Sequence, residues 1–509
     1  QRNANICQLI VPSQEAVQKL HHYLLSYAPN NAATNYRINS LENFTRRVYQ
    51  SLNSKRKLIS PELQSLFFFH ILQQNPITPF QSRWDSLGII PPTGTIAHLS
   101  KAIAKLKANA VLPETLRTSD KTGNGLNSIT TVYKAYQDQL GETYIDQPSI
   151  HAAVSDTFSQ VNSESVNKQL KPYFQGIDLV VVMGFETFSP IYLETLISLS
   201  NLPGISIAIL LDIFLENKEL FGHVKKCYKQ LLAAGFDEKL CPTPDQKTQF
   251  SCYLFNNCKV AKRNLTHQIT FIPTKDRISE VEFMAKKIKH MRLAQPGLQL
   301  DQVCITFYQL PIYAPLIREI FPIYGIPFTL EFAAELANSP IVVNIISLLE
   351  SQEVESITPE EFRTLLNTLI QENNIAQNLI QNTLDQNQNP ILEQETAAYQ
   401  HLLHLIDELT EFFVDVDSSD CRYSLDHYIN SLRLMVSQST CSLKNTGKGG
   451  VQILPIVQTK MLDFEVVFLG GLVDGEFPET FRPNPFLPPQ HAGTEYDHLR
   501  EDRFLFYQT

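Results

Sequence analysis

Residues 450–478 read GVQILPIVQTKMLDFEVVFLGGLVDGEFP and contain two short apolar runs that are rich in β-branched residues. The first run covers residues 451–457, and the second covers residues 466–469. Such runs are typical of central strands in a parallel sheet that is covered on both faces. A polar turn, residues 458–463, separates them, and an acidic, glycine-punctuated segment, residues 470–478, follows. Because ligands gather at the carboxyl ends of strands in open α/β sheets, we interpret this stretch as the edge of a site.

The same stretch matches a known motif in order and without a gap. From Thr459 onward it reads Thr-Lys-x-Leu-Asp-Phe-Glu-x-Val-Phe-Leu-x-Gly-Leu-x-x-Gly-x-Phe-Pro. This pattern resembles motif V of superfamily 1 helicases, in the form found in AddB- and RecC-type subunits of bacterial double-strand-break repair nucleases. The alternative is an ordinary βαβ turn in an unrelated α/β enzyme. The resemblance implies that Gln458, Thr459 and Lys460 bind DNA.

The composition is that of a large folded protein. The chain has 509 residues, enough for roughly two to four domains, and 43% of them are hydrophobic. The sequence has no apolar run long enough to span a membrane and no visible signal peptide, so we expect no membrane association. The eight cysteines are scattered without paired CxxC spacing. They are best interpreted as reduced thiols, which argues against a zinc site and predicts a cytoplasmic protein.

The formal net charge of the chain is −10 at pH 7. This charge argues against nucleic-acid binding that is driven by bulk charge alone. It does not exclude a basic channel inside an acidic protein.

The N-terminal segment has the pattern of a βα unit. A short apolar run over residues 6–11 is followed by Pro12-Ser13-Gln14 and then by helical apolar spacing over residues 15–27. The unit resembles helicase motif Ia, in which the turn after the strand touches the DNA backbone. Ser13 and Gln14 are therefore candidate DNA-binding residues, and an ordinary βα unit is the alternative.

A Walker A loop should precede motif Ia in a helicase, but the sequence shows none. The loop has the form G-x-x-x-x-G-K-[ST], and its backbone amides hold phosphates. Only five residues precede Ile6, none of them glycine, and residues 446–450 lack the first glycine of the motif. Either the loop was lost, as in RecC, or it lies upstream of Gln1. We expect ATP and Mg as cofactors only in the second case.

The clearest buried strand of the first half, residues 177–183, ends in Gly184-Phe185-Glu186. Active helicases carry Walker B here, and its carboxylates hold magnesium and polarise water. Glu186 is therefore a candidate remnant of a catalytic metal or water ligand. We favour the alternative, in which Glu186 is a solvated loop residue.

A second α/β unit is predicted to start at residues 266–273. Residues 275–282 begin a helix that resembles motif IV, so Arg277 and Glu280 are candidate remnants of a nucleotide cleft. Residues 495–507, EYDHLREDRFLFY, resemble the start of motif VI and add Arg500 and Arg503 to these remnants. The alternative is that both arginines are helix-surface charges with a supporting role.

The resemblance implies an α/β fold with two RecA-like (P-loop NTPase-like) parallel-sheet domains, each carrying an inserted all-α domain. We expect the strand at residues 451–457 to pair with residues 303–307 and with a strand around Phe271. The inserts should contain almost no strand. The expected division is residues 1–59 plus 176–262 for the first sheet domain, 60–175 for its insert, 263–340 plus 449–509 for the second sheet domain, and 341–448 for its insert.

The function that the resemblance implies is DNA binding within an ATP-dependent helicase–nuclease complex that acts in double-strand-break repair and recombination. Its expected partners are single-stranded or forked DNA and a helicase–nuclease protein of the AddA/RecB type. We predict no ATP hydrolysis by this chain, no cofactor and no metal site in it. A PD-(D/E)XK nuclease domain would lie beyond Thr509. The alternatives are an ATP-dependent helicase whose Walker A lies upstream, or a non-enzymatic assembly scaffold.

Overall fold

The computed structural model describes the greater part of the chain. Its residues are 6–27, 36–52, 55–74, 93–117, 125–160, 170, 172–239, 253–256, 268–375, 377, 389–417, 419–446, 449–460 and 462–509. In chain order, the strands are β1 Ile6–Val11, β2 Tyr36–Ser40, β3 Lys57–Leu58, β4 Tyr144–Ile145, β5 Ile177–Val182, β6 Ser206–Ile209, β7 Val303–Phe307, β8 Phe328–Glu335, β9 Thr440–Thr446, β10 Val451–Pro455 and β11 Val466–Gly470.

The α-helices follow the periodic apolar segments of the sequence. They are α1 Gln14–Tyr27, α2 Leu41–Ser51, α3 Pro61–Gln74, α4 Thr93–Ala108, α5 Pro113–Arg117, α6 Gly125–Leu140, α7 Gln147–Ser159, α8 Pro190–Ser200, α9 Lys218–Ala233, α10 Arg277–Ala294, α11 Leu310–Ile323, α12 Pro340–Glu350, α13 Pro359–Glu372, α14 Asn389–Val416, α15 Leu425–Gln438, α16 Pro489–Ala492 and α17 Glu495–Gln508. Within the described ranges, no helix is both long and apolar enough to cross a membrane.

The first sheet contains four parallel strands in the order β2-β1-β5-β6. The apolar residues of β1 and β5 pack under α7 and α8, and Ile10, Val180 and Val182 are fully buried. Ser40 ends β2 and starts α2, since its hydroxyl accepts a hydrogen bond from Asn43 N at 3.2 Å. The pairing of β1 with β5 joins the two sequence segments that were expected to share the first sheet.

The second sheet has the order β11-β7-β10-β8-β9, and all its pairs are parallel except β8 with β9. Ile453 of β10 lies beside Ile305 of β7, as predicted for these two segments. The expected strand around Phe271 is wrong. Residues 268–273 form no strand, and Phe271 is 79% exposed. Both sides of β10 are already occupied, by β7 and β8, which leaves no position there for another strand.

The helices between the sheet segments form one helical body with a single hydrophobic core. Buried residues from 59–144 and from 336–441 belong to this core, and the rings of Phe67 on α3 and Phe412 on α14 lie 5.0 Å apart. The sequence predicted two separate inserts. They instead pack together because each has apolar surface that its own helices leave uncovered.

Two further boundaries differ from the prediction. Helix α7, which was assigned to the first insert, buries Ile150, Val154 and Phe158 in the core of the first sheet. Strand β9, inside the second predicted insert, adds an antiparallel edge to the second sheet. The inserts therefore hold more sheet-associated structure than expected, including the short parallel pair β3–β4.

Helix α17 joins the two sheets because two of its faces are buried. Leu505 packs with Ile456 and Phe477 of the second sheet segment. Phe504 packs with Phe221 and its neighbours on α9, which follows the first sheet. Apolar burial on both faces fixes the position of this helix between the two halves.

Candidate nucleic-acid interface

The segments after β5 and after β10 meet where the two sheets face each other. Glu186 follows β5, and Lys460 follows the 3₁₀ turn Ile456–Gln458 after β10. The ammonium group of Lys460 forms an ion pair with Oε1 of Glu186. The side chains are 24% and 17% exposed, so the pair is half-buried but reached by solvent. The expectation that Glu186 is a solvated loop residue is therefore wrong.

His223 on α9 is the third member of this junction, which we define as Glu186, Lys460 and His223. Its Nε2 lies 3.5 Å from Oε2 of Glu186, which is within ion-pair range and at the outer limit of a hydrogen bond. Its ring meets the ring of Phe504 edge-on at 4.9 Å. The carboxylate of Glu501 on α17 is exposed and lies within electrostatic range of both Glu186 and His223.

The junction keeps the Glu186 carboxylate ionised. Burial by itself would raise the pKa of Glu186. The adjacent His223 and the charge of Lys460 stabilise the carboxylate more strongly, so its pKa is lowered overall. At neutral pH, Glu186 therefore offers Lys460 a full negative charge.

The turn that contains Ser13 and Gln14 lies at the N-terminus of α1. The hydroxyl of Ser13 accepts a hydrogen bond from Ala16 N at 3.2 Å, which caps the helix. Exposed Gln14 accepts one through Oε1 from Nδ2 of Asn43 on α2, at 2.7 Å. Further along α1, the ammonium group of Lys19 donates to the carbonyl oxygen of Gln458 at 2.9 Å. The same helix thus carries the first predicted turn and contacts the second.

Thr459 differs from its two neighbours in that turn. It is 4% exposed, and its hydroxyl donates to the carbonyl oxygen of Ile456 at 2.7 Å. Its side chain therefore shapes the turn and does not face solvent. Gln458 and Lys460 remain the partly exposed residues of the predicted DNA-binding set.

Arg277 and Glu280 lie at the start of α10 and hold the loop after β11. Arg277 forms an ion pair with Glu476, whose other oxygen accepts a hydrogen bond from the hydroxyl of Tyr313 at 3.2 Å. Oε1 of Glu280 accepts a hydrogen bond from Gly471 N at 2.9 Å. In this structure the two predicted cleft residues therefore have partners within the chain.

Arg500 and Arg503 attach α17 to α9. Nη1 of Arg503 lies 3.1 Å from Oε2 of Glu219. The guanidinium of Arg500 lies over the ring of Tyr496 at 4.4 Å and against Gly222, where an added Cβ would be 3.1 Å from Cζ of Arg500. Their contacts agree with the supporting role that the sequence offered as the alternative.

Sequence reasoning missed His223 and Glu219, which both lie on α9. A signal for His223 was present, because it stands between Phe221 and Val224 on the apolar side of an amphipathic helix. A histidine in that place needs a polar partner. Among the residues that the structure describes, no group of three or more His, Cys, Asp and Glu side chains is arranged to hold a metal ion.

Comparisons with known proteins bear on the whole arrangement. Residues 338–508 match the UvrD-like helicase C-terminal domain family, a range that includes most of the helical body's second half, β9 to β11 and α17. Three similar curated proteins are each named as the AddB subunit of an ATP-dependent helicase/deoxyribonuclease. The protein of Thermoanaerobacter sp. (strain X514) is 23% identical over 283 residues, which cover 50% of this chain. Those of Clostridium tetani and Clostridioides difficile are 22% and 24% identical over 67% and 57% of it.

The chain spans only part of the length of these relatives, because the alignments cover 24%, 31% and 26% of the three proteins. The match to AddB sequences agrees with the motif V pattern that begins at Thr459. The predicted resemblance is therefore confirmed.

Proposed function

We propose, since residues 338–508 match the UvrD-like helicase C-terminal domain and half to two thirds of the chain is homologous to AddB of the ATP-dependent helicase/deoxyribonuclease, that the chain is a helicase-like, DNA-binding component of a repair complex. Its substrate is single-stranded or forked DNA. Its partner is a helicase–nuclease protein of the AddA/RecB type. This chain positions the DNA and hydrolyses no ATP itself.

The observation that carries the proposal is the contact between α1 and the Gln458 turn. Lys19 bonds to the carbonyl of Gln458, so the N-terminal turn of α1 and the turn before Lys460 belong to one continuous surface across the two sheets. A strand of nucleic acid that follows this surface would meet Gln14 first and Lys460 later. Contacts to its phosphates would fix its position without reading its sequence.

The polar groups at the start of α1 and α2 suit phosphate. Both helices begin at the carboxyl edge of the first sheet, where free backbone N–H groups and the helix dipole favour anions. Gln14, Asn43 and Arg46 form a hydrogen-bonded chain across the two helix starts. Arg46 is exposed, so a phosphate can reach its guanidinium.

Fluorescence anisotropy with labelled oligothymidine, measured over a range of salt concentrations, tests the proposal. We expect binding that weakens steeply as salt rises, because each phosphate contact releases counterions. Arg46→Ala should weaken binding about fivefold, as expected for one charged hydrogen bond, and should make the salt slope shallower by about 0.7. The matched control is Arg363→Ala, which removes an arginine that pairs with Asp407 on the helical body. It should change neither quantity.

Two results would contradict the proposal. If the chain does not bind oligothymidine or a forked duplex at low salt, the assembly-scaffold alternative is favoured. If it releases phosphate from ATP when DNA is added, the ATP-dependent helicase alternative is favoured.

A further inference from the structure

We propose that Glu186 regulates the nucleic-acid surface by holding Lys460, so that a DNA phosphate must displace the carboxylate before Lys460 can bind it. This inference rests on the proposed DNA-binding function and names a regulation of the same surface. Glu186 acts on DNA only through Lys460, as a positioning residue.

The geometry of the pair supports competition. Both partners come from separate halves of the molecule, 274 positions apart, and they meet in an ion pair. Lys460 has three N–H donors on a flexible stem, so it can turn from one oxygen anion to another. Its side chain is 24% exposed, which leaves a path for a phosphate from solvent.

The carboxylate is held in place independently of Lys460. Oε2 of Glu186 lies 3.5 Å from Nε2 of His223, and the edge-on contact of His223 with Phe504 fixes the imidazole ring. Glu186 therefore keeps a partner when Lys460 leaves. Lys460, by contrast, gains a phosphate in exchange for the carboxylate, so the exchange leaves both charges paired.

The charges around the pair also favour exchange over simple opening. Glu501 on α17 adds a second negative charge within electrostatic range of Glu186. Two neighbouring carboxylates would repel a phosphate that approaches without first engaging Lys460. Removing the charge of Glu186 should therefore help binding in two ways, by freeing Lys460 and by lowering the repulsion.

The test compares four forms of the full chain by oligothymidine anisotropy: wild type, Glu186→Gln, Lys460→Ala and the double variant. Glu186→Gln should bind about two- to fivefold more tightly, the range for release of one solvent-accessible ion pair. Its salt slope should steepen by about 0.7, because one more phosphate contact forms. Lys460→Ala should weaken binding more in the Glu186→Gln background than in the wild type.

Glu350→Gln is the matched control, because it removes one negative charge from an exposed ion pair with Arg433 on the helical body. It reports the effect of net charge alone. Thermal unfolding of each variant verifies folding. Glutamine keeps the shape of Glu186 and a hydrogen-bonding oxygen for Lys460.

The outcomes separate this inference from the function on which it rests. If the wild type binds oligothymidine but Glu186→Gln binds no more tightly than Glu350→Gln, the regulation is wrong and DNA binding stands. If Lys460→Ala has the same effect in both backgrounds, the regulation is also wrong. If neither the wild type nor Glu186→Gln binds at low salt, the proposed function fails and this inference fails with it.

Discussion

Gly470 ends β11 at a point where the chain has no room for a side chain. A Cβ built there would lie 2.3 Å from Cε1 of Phe307 and 2.8 Å from Cε of Met284. The phenylalanine ring is itself fixed, because it stacks on Tyr313 with 4.1 Å between ring centres. The next residue, Gly471, has a positive φ of 70° and donates its N–H to Glu280. This pair of glycines therefore sets the path of the loop that Arg277 and Glu280 hold.

At the residue scale, Gly470→Ala should destabilise the protein. We expect the free energy of unfolding to fall by about 1–3 kcal/mol, the usual cost of forcing a methyl group into a packed core. Urea denaturation measures it. Gly297→Ala is the matched control, since nothing lies within 4 Å of an added Cβ there. Equal midpoints for the two variants would contradict the close packing of Gly470.

At the element scale, α17 is the clearest case of a helix with two buried faces. Phe504 contacts Phe221 at 5.5 Å and His223 at 4.9 Å between ring centres, while Leu505 packs with Ile456 and Phe477. Glu219 on α9 adds an ion pair with Arg503 and a hydrogen bond from the hydroxyl of Tyr496 at 3.0 Å. The exposed pair adds little stability, so the apolar contacts hold the helix.

Phe504→Ala should loosen both α17 and α9. Truncation of a buried phenylalanine costs about 3–5 kcal/mol, and the cavity would form between these two helices. Hydrogen exchange followed by mass spectrometry should show faster exchange in both helices. Glu495→Ala, an exposed position at the start of α17, is the control. Faster exchange in α17 alone would contradict its role as a link between the halves.

Much of the sheet topology could be predicted from the sequence, whereas the site could not. The run at Val303–Phe307 is buried at every position, so its apolar residues mark a central strand without ambiguity. β9 reads TCSLKNT, which lacks that signal, and its place in the sheet depends on β8. Glu186 and Lys460 are 274 positions apart, and only the folded chain brings them together. The burial of Thr459 likewise follows from its turn and not from the motif in which it stands.

At the scale of the whole molecule, the helical body unites segments that the sequence separates. The two predicted inserts share one core, and additional polar contacts join them. Lys57 pairs with Glu411 and Asp415 at 3.2 Å each, and the hydroxyl of Tyr144 donates to Asp415 at 2.7 Å. The inserts therefore connect the two sheets a second time, in addition to the link that α17 makes.

Phe412→Ala should therefore disturb both inserts. We expect a loss of about 3–5 kcal/mol, because Phe412 is fully buried against Phe67 of the other insert. Hydrogen exchange should become faster in α3 as well as in α14. Val414→Ala is the control on the same helix, since Val414 is 44% exposed. Exchange that changes only within residues 336–441 would show that the inserts are independent.

The two buried faces of α17 also restrict insertions and deletions. One residue added near the start of the helix would rotate every later side chain by about 100°. Leu505 would then leave Ile456 in the same event that takes Phe504 away from Phe221, so neither half could compensate for the other. The residue count of this helix is thus under two separate constraints. The segment that precedes it, from Pro478 to Pro488, has few buried positions and is where the chain can absorb a change of length.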